Sequence, residues 1–289
     1  MFQVLSIILP VFTIILVGYL YARYYQPDMA VANHLNLQLF TPALILSVLA
    51  AEGFDLTNYT ELALAATCVV LGSGLLVWPL ARLLKWNVAT FLPPMMFNNS
   101  GNMGLPLALF AFGEQALPVA MVLFLVGNTL HFTVGNAILA RRVHLSDFLR
   151  MPMLLATLLG VLLSVSAVSI PGPLYQAIDL LGQIAIPLML FSLGVRMTAV
   201  TFTDWRIGLV GAVVCPLSSV LIALGVMWVF DLRGMELAQL FLFSVLPPAV
   251  LNFMLAEHHR IEPQRVAAIV LMGNLFSVLV IPLSLYFIL

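Results

Sequence analysis

The sequence predicts an all-α polytopic membrane protein whose ten helices form two inverted five-helix repeats. Three observations carry that expectation: an apolar composition, a one-sided distribution of basic residues, and motifs that recur in both halves. Of 289 residues, 63% are hydrophobic and 8% charged, with a mean hydropathy of +1.12. A soluble domain of that balance would present apolar surface everywhere. The net charge is −1 and no basic run occurs, which argues against nucleic acid as a partner. The N-terminus, MFQVLSIILPVF, lacks the charged start and small-residue cleavage site of a secretory signal, so it reads as a retained first span. Cys68 and Cys215 lie in apolar runs and read as buried small hydrophobes, not as a disulfide or metal pair.

Ten apolar segments follow in order, each too long and too uniformly apolar for a barrel strand. The first five are Val4–Tyr24, Val31–Leu49, Leu62–Leu83, Thr90–Phe112 and Gln115–Ala140. After a connector at 141–150 come Met151–Val168, Pro173–Val195, Arg206–Phe230, Glu236–Glu257 and Pro263–Leu289. Short connectors make neighbouring spans antiparallel. The expected organisation is a first repeat over residues 1–140, a cytoplasmic connector at 141–150 and a second repeat over residues 151–289.

The basic residues orient the set. With the N-terminus outside, the cytoplasmic connectors hold Arg23, Arg82, Lys85, Arg141, Arg142, Arg150, Arg196, Arg206, Arg260 and Arg265, which is ten of the eleven Lys and Arg. Only Arg233 falls outside. Positive charge is retained in the cytoplasm during insertion, and a missed or extra span would scramble this alternation. Both termini are therefore expected on the outer, periplasmic side of a bacterial inner membrane.

The halves repeat collinearly. Pro10 and Gly18 match Pro152 and Gly160 at an offset of 142, and Pro42 with Ser47 matches Pro187 with Ser192 at 145. Pro93-Pro94 with Asn98 matches Pro247-Pro248 with Asn252 at 154, each a PPxxxN, and Gly127-Asn128 matches Gly273-Asn274 at 146. Because five spans is an odd number, the second copy enters the membrane from the opposite side, and the repeat is inverted.

Segment four, FLPPMMFNNSGNMGLPLALFAF, is where the chain turns polar and breakable. Gly and Pro interrupt the backbone ladder, and the freed groups survive at membrane depth only inside protein or beside water. The half-helix that follows presents unpaired N–H groups and a partial positive charge. A re-entrant packing loop is the alternative.

PPMMFNNSGNMGLPLALFAFG, a following span with VGN, and LPPAVLNFMLAEHH before a basic connector resemble the auxin efflux carrier family. The resemblance runs over essentially the whole chain. It implies a fold like that of the bile acid sodium symporters, with segments four and nine broken and crossing at the substrate site. It also implies a small organic anion as substrate, a carboxylate such as malonate or malate or an auxin-like acid. The ten-residue central connector resembles the compact bacterial form, not the long-looped plant carriers.

Asn98 and Asn252 occupy equivalent places, and two neutral amides suit hydrogen bonding to a carboxylate; by resemblance they contact substrate. The alternative is that they satisfy carbonyls freed by the breaks. Asn99, Ser100 and Asn102 are N-cap types for the second half-helix, with Pro106 in its first turn. The expected binding surface comprises these residues with Pro248. Segment nine lacks a second Gly/Pro cluster, so its break is expected to be the shorter. Asn128 and Asn274 read either as interhelical glue or as cavity lining. His131 and Asp179 are candidates for proton coupling; packing and an interfacial position are their alternatives.

The coupling ion, proton or sodium, is not written in the sequence. No cofactor or metal is expected, and a homodimer is compatible with the chain. No intramembrane Arg or Lys stands out as a carboxylate clamp. Hydrolytic enzymes are disfavoured, because GxSxG, HExxH and paired intramembrane aspartates are absent. A gated channel or a membrane sensor remains as an alternative to a carrier operating by alternating access.

Overall fold

Every long apolar segment folds as helix, since a backbone surrounded by lipid must satisfy its own hydrogen bonds. The computed structural model describes residues 2–51, 54–139, 151–166, 168–199 and 204–289; the central connector lies outside the described residues. Among these, extended pairing is confined to one isolated two-residue bridge.

Helix α1 spans Phe2–Tyr25. Helices α2 (Ala30–Leu35) and α3 (Thr41–Leu49) join through a π-turn at Asn36–Phe40. Helix α4 covers Thr60–Leu83. Helix α5 (Val88–Met96) starts where the Asn87 side chain accepts the Ala89 N–H at 3.0 Å. A π-turn at Ser100–Gly104 runs into α6 (Leu105–Phe112). That helix stops at Gly113, whose φ of 82° only glycine adopts readily. Helix α7 (Leu117–Leu130) passes through a third π-turn, His131–Gly135, into α8 (Asn136–Leu139). Then come α9 (Pro152–Ser166), α10 (Gly172–Gln183), α11 (Ala185–Arg196) and α12 (Trp205–Val226). The last three are α13 (Gly234–Ser244), α14 (Val250–His258) and α15 (Pro263–Ile288).

Six helices among the described residues are long and apolar enough to cross a membrane unaided: Val4–Tyr25, Leu56–Leu83, Glu114–Leu139, Gly172–Arg196, Trp205–Val226 and Pro263–Ile288. The other four apolar segments are shorter or interrupted. Segment two carries its π-turn, segment six is the 15-residue α9, and segments four and nine are broken.

The helices pack in two groups. In the first, α1 lies against α11, and α3 against α9 and α10. Small residues set this contact: a Cβ on Gly194 would lie 2.0 Å from the Ile15 carbonyl oxygen, and one on Gly18 2.2 Å from that of Phe191. The two backbones touch, as small residues allow in membranes. In the second group α4 packs on α5, α7 and α12, α12 on α5, α13 and α15, and α13 on α7. The groups meet where α6 and the Ser100–Gly104 turn reach α1 and α11, where α15 touches α1 and where α7 touches α3. Of the cysteines, Cys215 is buried, but Cys68 faces outward from α4. An apolar run on a lipid-facing helix does not tell which face a small residue takes.

Candidate functional site

The two broken helices cross back to back. Between α5 and the Ser100 turn three residues are unwound, Phe97 to Asn99; between α13 and α14 there are five, Val245 to Ala249. The second break is thus the longer, contrary to expectation. Pro93 and Pro94 sit inside α5, whereas Pro247 and Pro248 lie in the break itself, where their missing N–H groups interrupt no helical ladder. The breaks run antiparallel and pair: Asn99 donates its N–H to the Pro247 carbonyl at 2.7 Å, and Ala249 donates to Phe97 at 3.0 Å. Each break satisfies backbone groups freed in the other, which a water-poor interior demands. Gly273 on α15 permits the close approach, because a Cβ there would lie 2.5 Å from Pro248 Cδ.

Side-chain amides complete the crossing. Asn98 donates from Nδ2 to the Phe243 carbonyl. Asn252 donates from Nδ2 to Phe97 at 2.8 Å and to Ala249 at 3.0 Å. The donors expected to meet a carboxylate are therefore engaged with freed carbonyls. Asn99 holds the N-cap position without a side-chain cap bond. It donates instead to Asn274 Oδ1 at 3.5 Å, and Asn274 donates to Val270 at 2.7 Å and to Pro248 at 3.3 Å.

Beside this crossing, between the two helix groups, lies a cavity of about 300 Å³, the lower end of what holds a small ligand. All three π-turns line it, through Asn36, Ser100 and His131 with their neighbours. Such turns recur at functional sites because they aim side chains a regular helix would not. Asn36 Oδ1, Thr41 Oγ1 and Ser192 Oγ are buried polar atoms without a hydrogen-bond partner among the described residues, and all three residues line this cavity. An unsatisfied buried group costs about 1–3 kcal/mol. Three such groups make the cavity wall polar, although each atom is covered by its neighbours and does not open on the cavity. The His131 ring stacks on Phe97, with centroids 4.3 Å apart and planes 7° apart.

Of the residues singled out from sequence, Asn98, Asn99, Ser100, Asn102, Asn128 and His131 line this cavity. Asn274 lines a second cavity, of about 430 Å³. Pro106, Pro248, Asn252 and Asp179 line neither. Asp179 instead accepts a hydrogen bond from Gln183 on α10 at 2.7 Å. Among the described residues, no group of three or more His, Cys, Asp or Glu is arranged to hold a metal ion.

Sequence reasoning missed Arg196. Counted as a connector residue, it is instead the last residue of α11 and lines both cavities. The only hint in the sequence is that segment seven ends one residue before it.

Comparison with known proteins supplies the biological frame. The family model described as "Membrane transport protein" matches residues 138–285. A Rhizobium meliloti protein named "Putative malonate transporter" is 29% identical across 100% of this chain and 97% of its own length. An uncharacterized transporter of Methanocaldococcus jannaschii is 22% identical over 96% of this chain and 97% of its own, and one of Methanothermobacter thermautotrophicus 27% identical over 96% and 95%.

Proposed function

The chain belongs to the membrane transport protein family of auxin efflux carriers, and from that premise we propose that it is a secondary transporter of a small organic anion, working by alternating access. The observation that carries this reading is the cavity between the two helix groups, lined by asparagines of the crossing and by Arg196. A site shared by two groups is what alternating access requires, since rocking one against the other exposes the site to each side in turn.

The contact pattern supports two inverted repeats, residues 1–140 and 151–289. Exchanging each span for its counterpart turns the α1–α11 contact into α9–α3, α4–α7 into α12–α15, and α5–α15 into α13–α7, all of which occur. The half-helices beginning at Ser100 and Val250 both start at the crossing, and their N-termini favour negative charge. The cavity is lined from the span ends nearest the basic connectors, through Asn33, Met151, Arg196 and Met254. With both termini periplasmic in a bacterial inner membrane, that end is cytoplasmic, and the cavity faces inward.

One relative is named for malonate, so short dicarboxylates are the first substrates to test. In a thermal-shift screen of dicarboxylates, monocarboxylates and indole acids on the purified protein, a short dicarboxylate should raise the melting temperature saturably. A ligand at a hundred times its Kd adds about 2.7 kcal/mol. No shift with any acid would count against the reading.

A further inference from the structure

Resting on the reading of the first cavity as the anion site, we propose that Arg196 is the residue that selects for negative charge, its guanidinium holding a carboxylate of the substrate at the junction of the two cavities. Val250 and Met254 line both cavities with it, so the guanidinium stands where the two spaces adjoin.

The surrounding chemistry leaves that guanidinium free. It donates from Nη1 to Met254 Sδ at 3.3 Å, and a thioether is a weak, uncharged acceptor. Among the described residues no carboxylate pairs with it; the ion pairs found use Arg233 and Arg265. Arg82 and Arg206 lie over the rings of Trp78 and Trp205. Arg196 is half-buried without such a neighbour, and a partly desolvated cation is relieved by a bound anion.

The donors nearby narrow the ligand further. The amides of Asn98 and Asn252 are engaged with carbonyls. What remains for an anion beside the guanidinium is the cavity-lining amide of Asn128 and the N–H groups of Ser100, Gly101 and Asn102, which open the turn without intrahelical acceptors. Those of Met103 and Gly104 are taken by the Asn99 carbonyl. One carboxylate of the substrate lies on the guanidinium, and the first cavity, of about 300 Å³, holds the rest of a short acid. Arginine can hold the carboxylate through two parallel N–H···O bonds, which lysine cannot. The ligand class is a short dicarboxylate, and a neutral diamide of the same length is excluded.

The test is titration of purified wild type, Arg196→Gln, Arg196→Met, Arg196→Lys and Arg206→Gln with malonate and with malonamide, following both binding heat and melting temperature. The proposal expects the Gln and Met variants to bind malonate at least about tenfold more weakly. The Lys variant should fall between them and wild type, the Arg206 variant should match wild type, and malonamide should bind none of them. Unliganded melting temperatures should stay near wild type, since only the Met254 contact is lost; Arg196→Met keeps the apolar stem and decides the matter if the Gln variant folds poorly. Wild-type affinity in either neutral variant overturns the proposal and leaves the cavity reading standing. A wild type that binds none of the short dicarboxylates overturns both.

Discussion

Asn252 on α14 donates from Nδ2 to the carbonyl of Phe97 at 2.8 Å, joining the two breaks across 155 residues of sequence. The same carbonyl accepts the Ala249 N–H at 3.0 Å. The amide thus spans the crossing, and the same side chain pairs with the His131 ring. Asn252 is 1% exposed, so a change there is felt by the fold before any ligand arrives.

Asn252→Asp and Asn98→Asp should therefore lose transport and thermal stability together. Each removes an amide that satisfies a buried carbonyl, at about 1–3 kcal/mol. Asn128→Asp should behave differently. That side chain lines the cavity and donates to Met153 Sδ at 3.8 Å. It should keep the melting temperature and lose anion binding through repulsion. Melting curves beside uptake assays separate the cases, and an Asn252→Asp protein as stable as wild type would count against a structural amide.

Ser192→Ala and Thr41→Val should raise stability. Both hydroxyls are buried without a partner, so removing one relieves a desolvation cost and should raise the unliganded melting temperature, by up to about 1 kcal/mol of stability. Lower stability in both variants would show that these hydroxyls serve the fold.

The α1–α11 contact predicts a sharp contrast between glycines. Gly194→Ala would set a Cβ 2.0 Å from the Ile15 carbonyl oxygen, whereas Gly172→Ala meets nothing within 4 Å. Overpacking costs about 1–3 kcal/mol. The first variant should express poorly and melt early, and the second should be close to neutral. Equal melting temperatures would mean that the helices separate freely.

Topology is checked by thiol labelling. In a background with Cys68 and Cys215 replaced, a cysteine in place of Ser146 in the central connector should be shielded from an impermeant reagent in intact cells. A cysteine in place of Met235, beside Arg233, should react. The opposite pattern would invert the orientation and place the cavity mouth outside.

The breaks were legible because Pro, Gly and Asn clusters have few tolerable places in a membrane helix. The PPxxxN motifs mark both sides of the crossing, and Asn98, Asn128 and His131 do line the cavity. What the residues could not reveal was where each amide spends its donors. That depends on the opposite break, whose Phe97 and Phe243 carbonyls carry no residue-specific signal. The longer second break was hidden because the same Pro-Pro pair lies inside a helix in one half and in the unwound stretch in the other. The π-turns carry no composition signature either, so Asn36 and Thr41 went unnoticed. Arg196 was assigned to a connector because charge ends an apolar segment when read along the chain, whereas its side chain lines the cavities beside α14.

The central claim, carriage of a small organic anion by alternating access, is tested most directly by counterflow in proteoliposomes. Vesicles loaded with unlabelled malonate and diluted into a trace of labelled malonate should transiently accumulate label above its outside concentration, and Arg196→Gln should abolish that overshoot. Label that only equilibrates, accompanied by an ionic current, would identify a channel and contradict the account.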